Sequence, residues 1–174
     1  KLGRDASAEL PKLWYEGEGF EEVRAAYMDE ITLSWRDAFS RQIGDWCRGR
    51  GVQYIGHIIE DMDAHARLIC SGGHYFRSLE GQDMSGIDVV LHQIIPGMWD
   101  CTHTAALPAD RADPTFFHYA LAKLGASAAH LEPRKAGRAM CEIFGAYGWA
   151  EGSPMMKWLL DHMLVRGINR FVPH

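Results

Sequence analysis

The chain has no run of lysine or arginine, no CxxC pair, and no apolar stretch approaching the ~18–20 residues that a membrane-crossing helix needs. Each absence excludes something. Without a basic run, and with a formal net charge of -5, no phosphate-tracking face is expected, so nucleic acid is not the partner. The 4 cysteines (Cys47, Cys70, Cys101, Cys141) stand far apart and read as buried reduced thiols. No secretory leader and no membrane span are expected in these residues. The cytoplasm is the expected location. A secreted or periplasmic one stays open, because a chain opening at Lys1 is expected to lack its native N-terminus. Low-complexity segments and internal repeats are missing too.

What is present suits one folded unit. The 174 residues are 47% hydrophobic and 24% charged, enough for a real core and too apolar for disorder. A neutral or cationic small molecule is the expected polar ligand.

Breakers at Pro11, Gly17 and Gly19 leave the first nineteen residues irregular. Val23, Tyr27, Ile31, Trp35, Phe39, Ile43 and Trp46 then recur in steps of three or four, a helical stripe stopped by Gly49 and Gly51. The β-branched run 52–59 predicts a strand, 64–80 a short helix, and 87–95 a second strand closed by Pro96-Gly97. A long loop over 97–114 leads to helical spacing from Phe116 to Leu131. Arg138–Phe144 is the third strand candidate. Ser153-Pro154 opens a helix lined by Met155, Trp158, Leu159, His162, Met163 and Val165, and Ile168–Val172 is the fourth strand.

Largely apolar strands separated by helix-length crossovers predict a parallel α/β sheet covered on both faces. Strand ends carry chemistry: His57, Glu60 and Asp61; His92 and Gln93; Glu142; Asn169 and His174. Reactive groups at the C-terminal ends of several strands are the barrel-enzyme arrangement. Four strands do not close an eight-stranded barrel. Residues 1–174 are therefore expected to be the central part of a (β/α)8 catalytic domain, about four βα units, within a longer multidomain protein. Its open edges predict association with the rest of that chain or with itself.

Two carboxylates lead the candidate catalytic set. Glu142 lies in an apolar stretch followed by Phe144, Tyr147 and Trp149, a setting that raises a carboxyl's proton affinity. Glu60 closes a different strand, and cleaving a glycosidic bond needs one carboxylic acid and one carboxylate around it. Around this pair, His57, Asp61, His74, Tyr75, Gln93, Tyr147, Trp149, Asn169 and His174 are candidates for substrate contact. An ordinary structural role competes for each: an arginine partner for Glu142, a helix N-terminal cluster for Glu60, core packing for the aromatics. A rival grouping places His57, Asp61 and His65 on one helical face, with Asp63, as a metal-dependent hydrolase of the amidohydrolase type. A carbohydrate-binding domain without catalysis is the third alternative.

The motifs GHIIED (56–61), SGID (85–88), LHQIIPG (91–97), HYALAKLGASAAH (118–130), MCEIFGAYGW (140–149), RGIN (166–169) and FVPH (171–174) resemble, in this order, bacterial glycoside hydrolases with a (β/α)8 catalytic domain. The nearest are the α-L-rhamnosidases of glycoside hydrolase family 106, with a family 2-like label also in use. The block E-x-F-G-x-x-G-W is the most specific part. The resemblance implies a glycosidase of carbohydrate metabolism acting on a plant or microbial glycan. It implies Glu142 and Glu60 in catalysis, with Asn169 and His174 near the sugar. It also implies an inverting, calcium-associated enzyme, although no calcium site is matched residue by residue. The residues themselves call for no cofactor.

Overall fold

The apolar periods become helices where the spacing places them, and the computed structural model describes residues 5–58, 72–97 and 115–174. Helix α1 (Ala6–Glu9) is capped by Asp5, whose carboxylate accepts from the Ser7 N–H at 2.9 Å. Helix α2 (Phe20–Trp35) continues through a π-helical stretch, Arg36–Arg41, into α3 (Gln42–Arg48). The apolar stripe on this long helix does not all face inward. Val23 is buried, while Ile31, Trp35, Phe39 and Trp46 are exposed. Thr32, Ser40 and Gly44 form the buried side instead. Small side chains let the helix approach the turn at Gly81, whose N–H donates to Ser40 Oγ at 2.9 Å. The displaced large rings pair outside, with Trp35 and Phe39 4.7 Å apart at their centroids and the Arg50 guanidinium 3.9 Å over Trp46.

A single turn, α4 (Tyr75–Ser78), is what the described residues hold of the helix expected over 64–80. Three strands follow: β1 (Ser85–Val89), β2 (Ala139–Ile143) and β3 (Arg170–Pro173), paired in parallel in the order β1-β2-β3. The second expected strand starts two residues early and stops at Val89. The cause is local: Leu91 and His92 turn left-handed, at φ 56° and 59°, and Gln93 Oε1 accepts from the Val90 N–H at 3.0 Å. The expected first strand is an extended segment over 52–58 without strand pairing. It runs along β1 in the same direction, tied where the Asp83 N–H donates to the Tyr54 carbonyl at 2.8 Å. Its Gly56 carbonyl lies over Gly86, where any side chain would collide with it.

A π-helical turn (Phe116–Ala120) and α5 (Leu121–Leu131) link β1 to β2, and α6 (Gly152–Leu164) links β2 to β3. The Ser153-Pro154 start falls inside α6, which begins at Gly152 behind a 3-10 turn over Trp149–Glu151 and has no side-chain cap. Both helices pack on one face of the sheet. There Ile87, Val89, Cys141 and Ile143 pack with Leu121, Ala122 and Ala129 of α5 and with Leu159 and Met163 of α6. Alanines and Gly125 on α5 bring its backbone close enough for the Gly125 carbonyl to accept from Ser85 Oγ at 2.6 Å. The fold is thus α/β, with an open, parallel, three-stranded sheet among the described residues.

Cations secure the N-terminal ends of the strands. The Lys135 side chain is fully buried, four residues before β2, and its ammonium donates to the Leu79 carbonyl at 2.8 Å, to the Gln82 carbonyl at 3.3 Å and to the Glu132 carboxylate. Arg138 donates to the Asp83 carbonyl at 2.8 Å, and Arg48 to the Gly81 carbonyl at 2.9 Å. Burial pulls the Lys135 pKa down and pushes that of Glu132 up, their mutual attraction opposing both. Lys135→Met orphans three acceptors at once. It should cost roughly 3–5 kcal/mol, the scale for breaking a buried ion pair, read as a lower denaturant midpoint at unchanged slope. A loss under about 1 kcal/mol would show that water replaces the ammonium freely.

Between α5 and α6, the His162 ring stacks on Trp158 at 4.8 Å, and its Nε2 lies 3.2 Å from the His118 carbonyl. Burial, with the Arg166 charge second, lowers its pKa to about 4. Burial and Arg166 also lower that of His118. A histidine lowered in the native state binds its proton more readily when unfolded, so the stability it contributes is lost as pH falls from about 6.5. Melting temperature should therefore drop between pH 6.5 and 4, and His162→Gln should flatten that slope. An unchanged slope in the variant would contradict this.

Candidate active site

Strand alternation sorts the sheet's chemistry by face. Ile87, Val89, Cys141 and Ile143 point toward α5 and α6, so Gly86, Asp88, Met140 and Glu142 point the other way. The β1-β2 register sets Asp88 directly opposite Glu142, and the β2-β3 register sets Glu142 opposite Val172. Two carboxylates thus share one row near the C-terminal ends of neighbouring strands. Their surroundings differ: the Asp88 side chain is 10% exposed and that of Glu142 31%.

The extended segment 52–58 brings in an imidazole. His57 Nε2 lies 3.2 Å from Glu142 Oε2, its Nδ1 2.9 Å from the Ile58 carbonyl, and the same Nδ1 3.8 Å from Asp88 Oδ2. From the far side of β2, His174 contributes a second ring, with Nδ1 3.7 Å from Glu142 Oε1. Its backbone N–H donates to the Ile143 carbonyl at 2.9 Å, which extends the β2-β3 ladder and fixes where the ring stands. Glu142 therefore sits between two histidines, one half-buried and one exposed.

The loops after β1 and β2 bound this row, and their backbone is unusual. Of the five non-glycine residues with left-handed φ among the described residues, four lie here: Leu91, His92, Phe144 at 80° and Ala146 at 59°. A buried aromatic residue at such an angle is strained, and strain of this kind gathers at functional sites. Hydrogen bonds hold it: the Phe144 N–H donates to the Val89 carbonyl at 3.2 Å and the Leu91 N–H to the Gly145 carbonyl at 2.8 Å. Gly145 has to be glycine for space, since a β-carbon would stand 2.7 Å from Val90 and 2.9 Å from the His174 ring.

The remaining sequence candidates separate. Tyr147 is buried, bonded through its hydroxyl to the Ile94 backbone at both N–H and carbonyl, and its ring lies 4.7 Å from that of His92. Gln93 is buried and holds the turn after β1. Both side chains are engaged within the loops after β1 and β2. Trp149 is fully exposed at the end of the β2 loop. Tyr75 is buried behind the sheet, its hydroxyl donating to the Gly86 carbonyl at 2.7 Å, and His74 caps α4. Asn169 belongs to the opposite end. Its side chain accepts from the Ala139 N–H at 3.1 Å and donates to the Gly137 carbonyl at 2.8 Å, so it starts a strand and does not end one.

Glu60, Asp61, Asp63 and His65 lie outside the described residues. Of the metal grouping, only His57 is described, and both of its ring nitrogens are engaged as given above. Among the described residues no set of three His, Cys, Asp or Glu side chains is placed to hold a metal ion.

Two residues escaped the sequence reading. Asp88 is a lone acid inside the apolar run Ile87–Ile95, and that interruption was the available signal. Glu151 sits in the turn after the β2 loop, where burial raises its carboxyl's pKa and His92 opposes the rise. Nothing in its local sequence marks it. No helix among the described residues is long and apolar enough to cross a membrane. Comparison with protein-family models, with curated proteins and with solved structures gives no match.

The loop strain has a direct test. Ala146 is exposed and left-handed, so Ala146→Gly removes roughly 1–2 kcal/mol of steric cost and returns part of it as unfolded-state entropy. A net gain of about 0.5–1 kcal/mol in unfolding free energy is expected. Destabilisation instead would mean the turn is unstrained.

Proposed function

We propose that this chain belongs to the (β/α)8 catalytic domain of a glycoside hydrolase, with Glu142 as one of its two catalytic carboxylates and Glu60 as the other. The observation that carries the reading is Glu142 itself. It is the one partly exposed residue of a strand whose other members are buried, at the C-terminal end of a parallel sheet, with a histidine on either side. Side chains at that end of a parallel barrel converge on substrate. Sequential strand order with both helices on one face is what a segment of such a barrel has, the opposite face then lining its interior. The resemblance of E-x-F-G-x-x-G-W to the family 106 rhamnosidases supports the same assignment.

Asp88 is a poor candidate for the second carboxylate. With its side chain only 10% exposed it is too enclosed to reach a glycosidic oxygen, and it faces His57. Glu60 follows His57 by three residues and is left with that role. Exposed Trp149 offers an apolar ring face of the kind that stacks on sugars. The substrate class is an oligosaccharide or aryl glycoside derived from a plant or microbial glycan.

A panel of aryl glycosides, scored for sugar release, tests this. The protein should turn over at least one member, and Glu142→Gln should lower kcat by roughly 10²–10⁴-fold, the scale of a lost acid or base, with an unchanged circular dichroism spectrum. Near-normal turnover by the folded variant would remove Glu142 from the mechanism.

A further inference from the structure

Resting on that reading, we infer that Glu142 is the acid of the pair and that His57 is the positioning residue that shares its proton. The hydrogens on the His57 ring follow from its partners. His57 Nδ1 lies 2.9 Å from the Ile58 carbonyl, and a carbonyl oxygen only accepts, so Nδ1 carries a hydrogen. A neutral imidazole holding its hydrogen there has a bare Nε2. That nitrogen lies 3.2 Å from Glu142 Oε2, and an ionised carboxylate is also only an acceptor. Two bare acceptors do not bond. One further proton therefore lies between them, on the ring as imidazolium against carboxylate, or on Glu142 as carboxylic acid against imidazole. Either way the pair holds one proton ready for delivery.

The charged surroundings point the same way. Asp88 on β1, 3.8 Å from Nδ1, favours a proton on the ring, and it pairs by register with Glu142 on β2. His174, beyond β3, stands 3.7 Å from the other carboxylate oxygen and draws on Oε1, leaving Oε2 to His57. During cleavage the Glu142 carboxyl gives its proton to the departing glycosidic oxygen as the bond from that oxygen to the anomeric carbon breaks. Water adds to the carbon and yields a proton to the second carboxylate. The two products together contain the added water, and the proton returns to the Glu142–His57 pair through solvent. His57 acts only through Glu142 and touches no reacting atom.

Two measurements on the whole protein decide this. Long-range proton–nitrogen NMR of the His57 ring, followed as pH is raised until the ring is neutral, should show the hydrogen remaining on Nδ1. Retention on Nε2 would overturn the proton assignment, whatever the enzyme's activity. The second measurement compares leaving groups for His57→Gln. Alkyl glycosides, whose departing oxygen needs a proton, should lose roughly 10²-fold or more in kcat, while dinitrophenyl glycosides, whose departure needs none, should stay within about 5-fold. The basic limb of the pH profile should shift for the alkyl substrates alone. Equal losses on both substrate types would overturn the role of His57 as partner of an acid. A wild-type protein inactive on every glycoside would instead sink the functional reading, and the NMR result would still stand on its own.

Discussion

The buried Lys135 ammonium is the interaction on which the sheet depends. It joins the turn before β1 to the turn before β2, and the Arg138 and Arg48 guanidiniums fill the neighbouring carbonyls. With both strand entrances tied together, Ser85 falls opposite Ala139, and the four pairs that follow complete the parallel ladder in register. That register is what sets Asp88 beside Glu142. A slip of one residue would turn Glu142 toward α5 and place Cys141 in the row. The N-terminal ends of the strands therefore hold the cations that stabilise, and the C-terminal ends hold the groups able to move protons.

Stability and strain divide along the same line. Packing of Ile87, Val89, Cys141 and Ile143 against α5 and α6 contributes roughly 1.5–3 kcal/mol for each large side chain buried. Left-handed Leu91, His92, Phe144 and Ala146 draw on that stability at the other end. Their hydrogen bonds tie the two loops to each other and to β1, beside the strand end where His174 is held by the Ile143 carbonyl.

Much of this order is legible in the sequence. The helices 20–48, 116–131 and 152–164 and the strands at 139–143 and 170–173 sit within a few residues of where they are expected, because local periodicity and burial agree there. By contrast, 52–58 forms no strand and the strand expected over 87–95 stops at Val89. The long helix 20–48 is legible as a helix but not as to its buried side. Close approach to the Gly81 turn selects Ser40 and Gly44 over the larger Trp35 and Phe39, and that choice is made by a contact about forty residues away. Asn169 reads as a strand-end residue of the candidate Ile168–Val172, yet the strand begins after it. Its amide satisfies the start of β2 and the turn that leads into it. Glu142 was visible as a charge among apolar neighbours. Asp88 carries the same signature in a subtler form, and its meaning came only from the register, which no single strand encodes.

The central claim is that Glu142 meets the departing oxygen of a bound sugar. A crystal structure of the protein with a non-hydrolysable thioglycoside of a substrate it turns over measures this directly. The account places a Glu142 carboxylate oxygen about 2.6–3.2 Å from the inter-sugar atom, within hydrogen-bond reach, with His57 still on the other carboxylate oxygen. A glycoside bound in the site with its scissile atom beyond reach of Glu142, or held at the opposite end of the sheet near Asn169, would contradict it.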